Sequence, residues 1–304
     1  MVGYDHEKTL HVSHSTLAGI LGGSVTRVCV SPIDVLKIRF QLQPEKGHGQ
    51  KYYGIIQAVR TIFQEEGIRA FWKGHIPAQC LSMIYGGMQF GSFQHLTKIA
   101  NDLVPHTRDD HLLRAVVNYS CGCVSGGLAT IAGQPVDVLR TRFAAQKEPM
   151  LFPKIHDALR HMLKHEGVRG FYRGTTPALI QMVPYSGLQF MSYSFLQAVW
   201  CHVSLKEGSL SHLVCGSGAG ILSKGIVYPF DVVKKRLQVQ GFNAATVSTV
   251  IDYSSFRNCI SSIWKNEGFS GFYKGFTVAV FKSCATSGLV FLTYEWFSEL
   301  LRTW

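Results

Sequence analysis

The stretch Pro32-Ile33-Asp34-Val35-Leu36-Lys37-Ile38-Arg39 occurs three times in this chain. It returns as Pro135-Val136-Asp137-Val138-Leu139-Arg140-Thr141-Arg142 and as Pro229-Phe230-Asp231-Val232-Val233-Lys234-Lys235-Arg236. A second element follows each copy: Glu66-Gly67 to Phe71-Trp72-Lys73-Gly74, Glu166-Gly167 to Phe171-Tyr172-Arg173-Gly174, and Glu267-Gly268 to Phe272-Tyr273-Lys274-Gly275. Glycines four apart precede each proline: Gly19/Gly23, Gly122/Gly126 and Gly216/Gly220. Elements kept in step in this way mean triplication of a unit of about 100 residues. We divide the chain into a tail (1–13) and three units, 14–106, 107–206 and 207–304, that build one domain.

Composition narrows the class. Only 16% of the 304 residues are charged, against 46% hydrophobic, and that balance excludes disorder. The net charge of +11 is unevenly placed. Residues 74–97, 115–136 and 174–205 contain no Lys, Arg, Asp or Glu, and each run exceeds the roughly 20 residues that cross a bilayer. Segments 14–40, 209–238 and 275–300 are similar but carry a few charges. A mean hydropathy of only +0.11 implies that these spans enclose something polar. The cysteines, at 29, 80, 121, 123, 201, 215, 259 and 284, show no paired spacing for a disulfide or zinc framework. Residues 1–16 show no cleaved targeting pattern.

Each unit reads as a long apolar helix kinked at its proline, a short amphipathic helix and a second long apolar helix. The short helices are expected at about 54–65, 154–165 and 255–266 from their apolar periodicity. The glycine pairs are expected where helix backbones approach closely in lipid. Apart from the bases of the proline motif and the cavity, the loops with the short helices hold 14 Lys and Arg, and the rest of the chain holds six. That asymmetry assigns the short-helix side to the positive face of the membrane and both termini to the other.

On a helix that turns about 100° per residue, the acid two after each proline and the base five after it point the same way. Ionisable groups within a bilayer face the bundle interior and pair. Three such helices therefore present three acids and three bases at one depth, a gate built from Asp34, Lys37, Asp137, Arg140, Asp231 and Lys234. Gln41 and Gln238 lie one turn beyond Lys37 and Lys234 and can brace them; the second unit has Ala144 there.

The two triplicated motifs resemble those of the mitochondrial carrier family along nearly the whole chain. The resemblance implies an all-α membrane protein with six transmembrane helices in three pseudo-threefold repeats and three short amphipathic helices on the matrix side. It implies residence in the inner mitochondrial membrane with both termini toward the intermembrane space, cardiolipin as a structural lipid, no cofactor and a monomer. It also implies which neighbours pair: Asp34 with Arg140, Asp137 with Lys234, and Asp231 with Lys37. The family's opposite gate is an ionic motif on the even helices. Here the matching stretches offer Gln94, Ser194, Gln197 and Glu295, so only one charged group remains. Polar contacts such as Gln94 to Ser194 are expected instead, with an outward-open resting state.

Three bases interrupt spans that would otherwise be free of charge. Arg27 and Lys224 sit five residues before their prolines, on the gate-bearing face; the second unit has Thr130 there. Lys282 lies seven residues after Gly275, where the other units have Leu81 and Gln181. With no acid expected at that depth, the cluster reads as an anion site. One turn further on come Tyr85, Tyr185 and Thr286, and the tyrosines suit a flat ring. The resemblance places the substrate contact points at Leu81, Gln181-Met182 and Lys282.

The segments Met1-Val2-Gly3-Tyr4-Asp5, Phe71-Trp72-Lys73-Gly74-His75, Arg140-Thr141-Arg142-Phe143-Ala144-Ala145-Gln146 and Cys215-Gly216-Ser217-Gly218-Ala219-Gly220 are similar to the branch of the family that carries thiamine pyrophosphate. That branch implies thiamine pyrophosphate as the transported substrate, exchanged for another phosphorylated anion. A nucleotide or deoxynucleotide is the alternative. A basic nucleic-acid binder would explain the charge but not the charge-free spans. His161, His165 and Glu166 lack the order of a helical metal-hydrolase motif, so an enzyme is not expected.

Overall fold

The fold is taken from a computed structural model that describes residues 12–43, 51–103, 111–148, 150–152, 154–203, 209–241, 253 and 255–302. Six long helices carry it: α1 (Val12–Gln41), α3 (His75–Leu103), α4 (His111–Ala145), α7 (Thr175–Val203), α8 (Ser209–Val239) and α10 (Phe276–Arg302). Three shorter ones lie between them: α2 (Ile55–Glu66), α5 (Ile155–His165) and α9 (Phe256–Gly271). A 3₁₀ turn (Ile68–Trp72) and the brief α6 (Gly167–Phe171) complete the described elements. The third short helix breaks at Gly268, which at φ 65° and ψ −159° is not helical, so the segment before it ends close to the expected residue and a second short helical turn follows.

The short helices show why the sequence repeats. Each buries two residues one turn apart: Ala58 and Ile62, Ala158 and Met162, Cys259 and Ile263. This is the i, i+4 stripe of an amphipathic helix, and in each unit it rests on the end of the preceding long helix. In the first unit Tyr52, Ala58, Ile62 and Phe71 pack against Leu36. In the third, Tyr253, Cys259, Ile263 and Phe272 pack against Val233 and Leu237. Burial among these groups pushes the Cys259 thiol up to about 12, so it is packed as a neutral side chain.

Gly74 joins short helix to long helix at φ 82°. A Cβ there would lie 2.8 Å from the carbonyl oxygen of Arg140. Glycine is thus required twice, for the left-handed backbone and for close approach to α4, the helix of the next unit that carries Arg140. Gly174 and Gly275 repeat the arrangement against Lys234 and Phe40.

Around the bundle, α1 packs along α10, α3 along α4 and α7 along α8, whereas the two long helices of each unit diverge. The glycine pairs do not sit at close helix crossings. A Cβ on Gly19, Gly23, Gly122, Gly216 or Gly220 would meet nothing within 4 Å; only Gly126 is covered, by the Met182 methyl. The expectation of close packing thus fails at five of the six glycines. Among the described residues no helix is long and apolar enough to cross a membrane by hydropathy. Length is not the obstacle, since the long helices run 27 to 35 residues. Their inward faces carry the polar and charged groups described next, which dilute the apolar average.

Candidate functional site

The short-helix end of the bundle holds two tiers of ion pairs. In the inner tier Arg140 Nη2 meets Asp34 Oδ2 at 2.6 Å, Lys234 Nζ meets Asp137 Oδ2 at 2.8 Å and Lys37 Nζ meets Asp231 Oδ2 at 2.5 Å. Each pair joins neighbouring units, so the three close a ring. The braces are uneven. Gln41 Nε2 donates to the Tyr228 hydroxyl at 3.0 Å and reaches Asp231 Oδ2 at 3.5 Å. Gln238 Nε2 donates to Asp137 Oδ2 at 2.8 Å, while its Oε1 accepts from Thr141 and Lys235. Ala144 contributes only its carbonyl oxygen, which accepts from Arg39 Nε at 3.2 Å.

The outer tier was not anticipated. The last arginine of each proline motif clamps the glutamate that ends the short helix of its own unit: Arg39 with Glu66, Arg142 with Glu166 and Arg236 with Glu267. All three clamps use two parallel N–H···O bonds of 2.5–2.8 Å, the strongest arrangement for this pair. Lys73, Arg173 and Lys274 approach the same glutamates. The arginines also reach the next unit: Arg39 donates to the carbonyl oxygen of Gln146, Arg142 to those of Gln238 and Gln240, Arg236 to that of Gln41. Burial opposes ionisation of Glu66 and Glu267, but hydrogen bonds and charge from Arg39 and Arg236 outweigh it and hold both carboxyls below their ordinary value. Triplication of both partners was the available signal; their contact required the fold.

Two cavities lie beyond the ring. The central one, ≈ 500 Å³, is lined by all six ring residues and by Arg27, Leu81, Tyr85, Thr130, Lys235 and Lys282. A side compartment of ≈ 590 Å³ opens between α1, α3 and α10 and shares Arg27, Asp34, Ser82, Phe90 and Lys282 with it. The cationic cluster is not without an acid, as the sequence suggested. Lys282 forms an ion pair with Asp34 Oδ1, because its long stem reaches from α10 to the ring acid of α1. Lys235 adds a second lysine to Asp137, at 3.0 Å. Lys224 does not line either cavity; its ammonium donates to Ser283 Oγ at 2.8 Å and to the Ala279 carbonyl at 3.3 Å.

The α7 candidates stand apart from these walls. Gln181, Met182 and Tyr185 line neither cavity, and Met182 fills the space over Gly126 and accepts a weak contact from the Thr130 hydroxyl at 3.9 Å. At the far end Gln94 and Ser194 are exposed and Gln197 is half-buried. No hydrogen bond joins Gln94 to Ser194 among the described residues, so the contact expected between them is not made in this structure. The Glu295 side chain and the tail at 1–11 lie outside the described residues. His161 lies beside His165, with ring centroids 4.3 Å apart and planes tilted by 35°, on the face of a short helix.

A threefold ring of inter-unit ion pairs below a charged central cavity matches what the triplicated motif encodes, and the family comparison agrees along the chain. The mitochondrial carrier protein family matches residues 8–103, 112–204 and 206–303. The chain belongs to the mitochondrial carrier family. Within that family it is 44% identical to the mitochondrial thiamine pyrophosphate carrier of Bos taurus, over 99% of this chain and 98% of that one. It is 43% identical to the carrier of the same name from Homo sapiens, over 99% and 97%. Mitochondrial thiamine pyrophosphate carrier 1 of Coccidioides immitis is 36% identical, over 94% and 92%. Solute carriage, with no chemical change to the solute, is the activity of a carrier family, and the site suits it: charged groups pair with one another around a space.

Proposed function

We propose that this carrier moves thiamine pyrophosphate across the inner mitochondrial membrane into the matrix by alternating access, in exchange for another phosphorylated anion. One observation carries the reading: the central cavity is lined by six bases, Arg27, Lys37, Arg140, Lys234, Lys235 and Lys282, against three acids, Asp34, Asp137 and Asp231. Such a surplus within a low-dielectric enclosure favours a ligand with two or more negative charges. The names of the relatives supply the identity of that ligand. Arg27 and Lys282 hold the diphosphate, with Leu81, Thr130 and Tyr85 beside it. Lys224, Gln181, Met182 and Tyr185 act from behind that wall, shaping it.

Helix lengths and surfaces support the membrane setting. Six helices of 27 residues or more exceed the roughly 20 needed to span a bilayer. Their outsides expose Val28, Leu128, Ile131, Ile180, Leu222 and Ile226 among other large apolar side chains, far more than a water-facing surface tolerates. The short helices then lie on the matrix side with both termini opposite, cardiolipin is the structural lipid, and one chain forms the complete pathway. The ring residues with Gln41 and Gln238 are the matrix gate. Gln94, Ser194, Gln197 and Glu295 form a weaker outer gate, which leaves the resting protein open outward.

Reconstitution in liposomes tests this with thiamine, its mono- and diphosphate, ADP, ATP and deoxynucleotides, each offered for counter-exchange. The diphosphate of thiamine is expected to be exchanged and free thiamine not. Exchange of ADP or deoxynucleotides without the thiamine ester would move the protein to a nucleotide branch. Lys282→Ala is expected to abolish uptake, as is joint replacement of Arg27 and Lys224 by Ala; uptake at the parent rate in folded protein would remove those assignments.

A further inference from the structure

The side compartment between α1, α3 and α10 is not needed for a diphosphate. Arg27 and Lys282 line both cavities, so an anion bridging them sits at the junction and the rest of its ligand extends one way or the other. The central cavity carries nine ionised side chains, a poor environment for a neutral pyrimidine. The side compartment carries only Arg27, Lys282 and Asp34 as charges, and Asp34 suits a ligand that also bears a ring cation.

The α3 helix sorts its residues between the two spaces. Leu81, Tyr85 and Gln89 face the central cavity, Gln79 and Met83 the side compartment, and Ser82 and Phe90 the border. Tyr85 stands with its hydroxyl near Gly126 and the Met182 thioether, which places it at the α4 wall. Phe90 and Met83 are 73% and 66% exposed, and each turns a large polarizable surface onto the compartment. Opposite them, Gly19 and Gly23 leave the α1 backbone bare, with nothing within 4 Å of where a Cβ would stand.

Resting on the thiamine pyrophosphate reading, we propose that this compartment seats the aromatic portion of the substrate, with Phe90 and Met83 selecting for a flat ring and Gly23 keeping the floor open. The two tyrosines singled out in the sequence are then wall residues, and the ring stacks on Phe90 while the diphosphate lies on Arg27 and Lys282. Sulfur and aromatic contacts of this kind favour a planar, electron-poor ring.

The test compares stabilisation of the purified full-length chain by thiamine pyrophosphate with that by inorganic pyrophosphate, titrated in thermal unfolding. Binding rather than transport is read because transport also depends on helix movement. The parent protein is expected to bind the thiamine ester roughly tenfold more tightly than pyrophosphate, the value of a stacked ring. Phe90→Ala and Gly23→Leu are each expected to erase that preference while pyrophosphate stabilises as before, and Phe90→Trp to retain it. The leucine fills open space and improves the helix, so folding is preserved. The proposal is overturned if either variant keeps the preference, if both ligands weaken together, or if the parent shows no preference. If a nucleotide stabilises the parent and thiamine pyrophosphate does not, the substrate reading fails, and the same variants then test the compartment with that nucleotide against pyrophosphate.

Discussion

The two ends of the bundle are built on different principles. At the short-helix end, six charged groups close a ring between units and three arginine–glutamate clamps lock each unit internally. At the other end, the described candidates Gln94, Ser194 and Gln197 are uncharged, and no hydrogen bond joins Gln94 to Ser194. The tiers within the first end differ as well. Ring pairs join different units and keep side chains 8–18% exposed, whereas the clamp residues are at most 7% exposed and lie within one unit. Buried ion pairs add little net stability once desolvation is counted, but removing one partner is costly. On the proposed alternating-access reading, the less buried ring is the tier suited to opening and the more buried clamps the tier suited to holding each unit together.

The largest effect that could break this contrast is at a clamp. Arg142→Ala leaves Glu166 buried against a single more distant base, Arg173 Nε at 3.5 Å, and should cost about 3–5 kcal/mol in thermal unfolding. A loss no larger than that of Lys37→Ala would mean the tiers do not differ. Next, Gly74→Ala forces both a left-handed backbone and a 2.8 Å approach to the Arg140 carbonyl, an expected loss of about 1–3 kcal/mol. Gly67→Ala, with φ 74° but nothing within 4 Å, should cost less. Equal losses would show that the contact with the neighbouring unit is irrelevant.

Acid sharpens the picture more gently. The folded-state pKa of Glu66 and of Glu267 lies below the ordinary value, so their contribution is complete above the unfolded carboxylate range, near pH 4–4.5, and is lost as pH falls toward the folded value. Unfolding temperature should drop below about pH 4.5, and less so in Glu66→Gln, whose starting stability is lower. An unchanged acid profile in that variant would remove Glu66 from the acid response. The smallest effect is a gain. Ala144→Gln supplies the third brace and should tighten the ring by about 1 kcal/mol or less, seen as slower labelling, from the short-helix side, of a cysteine introduced at Thr130 in the central cavity. Faster labelling would mean that Ala144 is there to avoid crowding.

Much of this was readable in the chain. Periodicity placed the short helices within a few residues, since their buried pairs recur at helical spacing, and the common face of Asp34 and Lys37 follows from residue count alone. The resemblance supplied the order of pairing that the ring shows. Other features were hidden for a physical reason: they depend on where residues far apart in sequence end up. Lys282 looked unneutralised because Asp34 is on another helix 248 positions away and its reach cannot be counted along the chain. The glycine pairs looked like crossings, yet five of the six glycines are uncovered.

The sequence by itself determined three equivalent units, the helical identity of their parts and the common face of the ring charges. These are local properties, set by hydrogen-bonded periodicity and repeated with the motif. Only the tertiary structure decided which acid each base meets, which glycines are covered and that the cavity has two compartments. Those outcomes arise from the tilt and separation of whole helices, and small rotations of a helix carry its distant side chains across ångströms that no local spacing records.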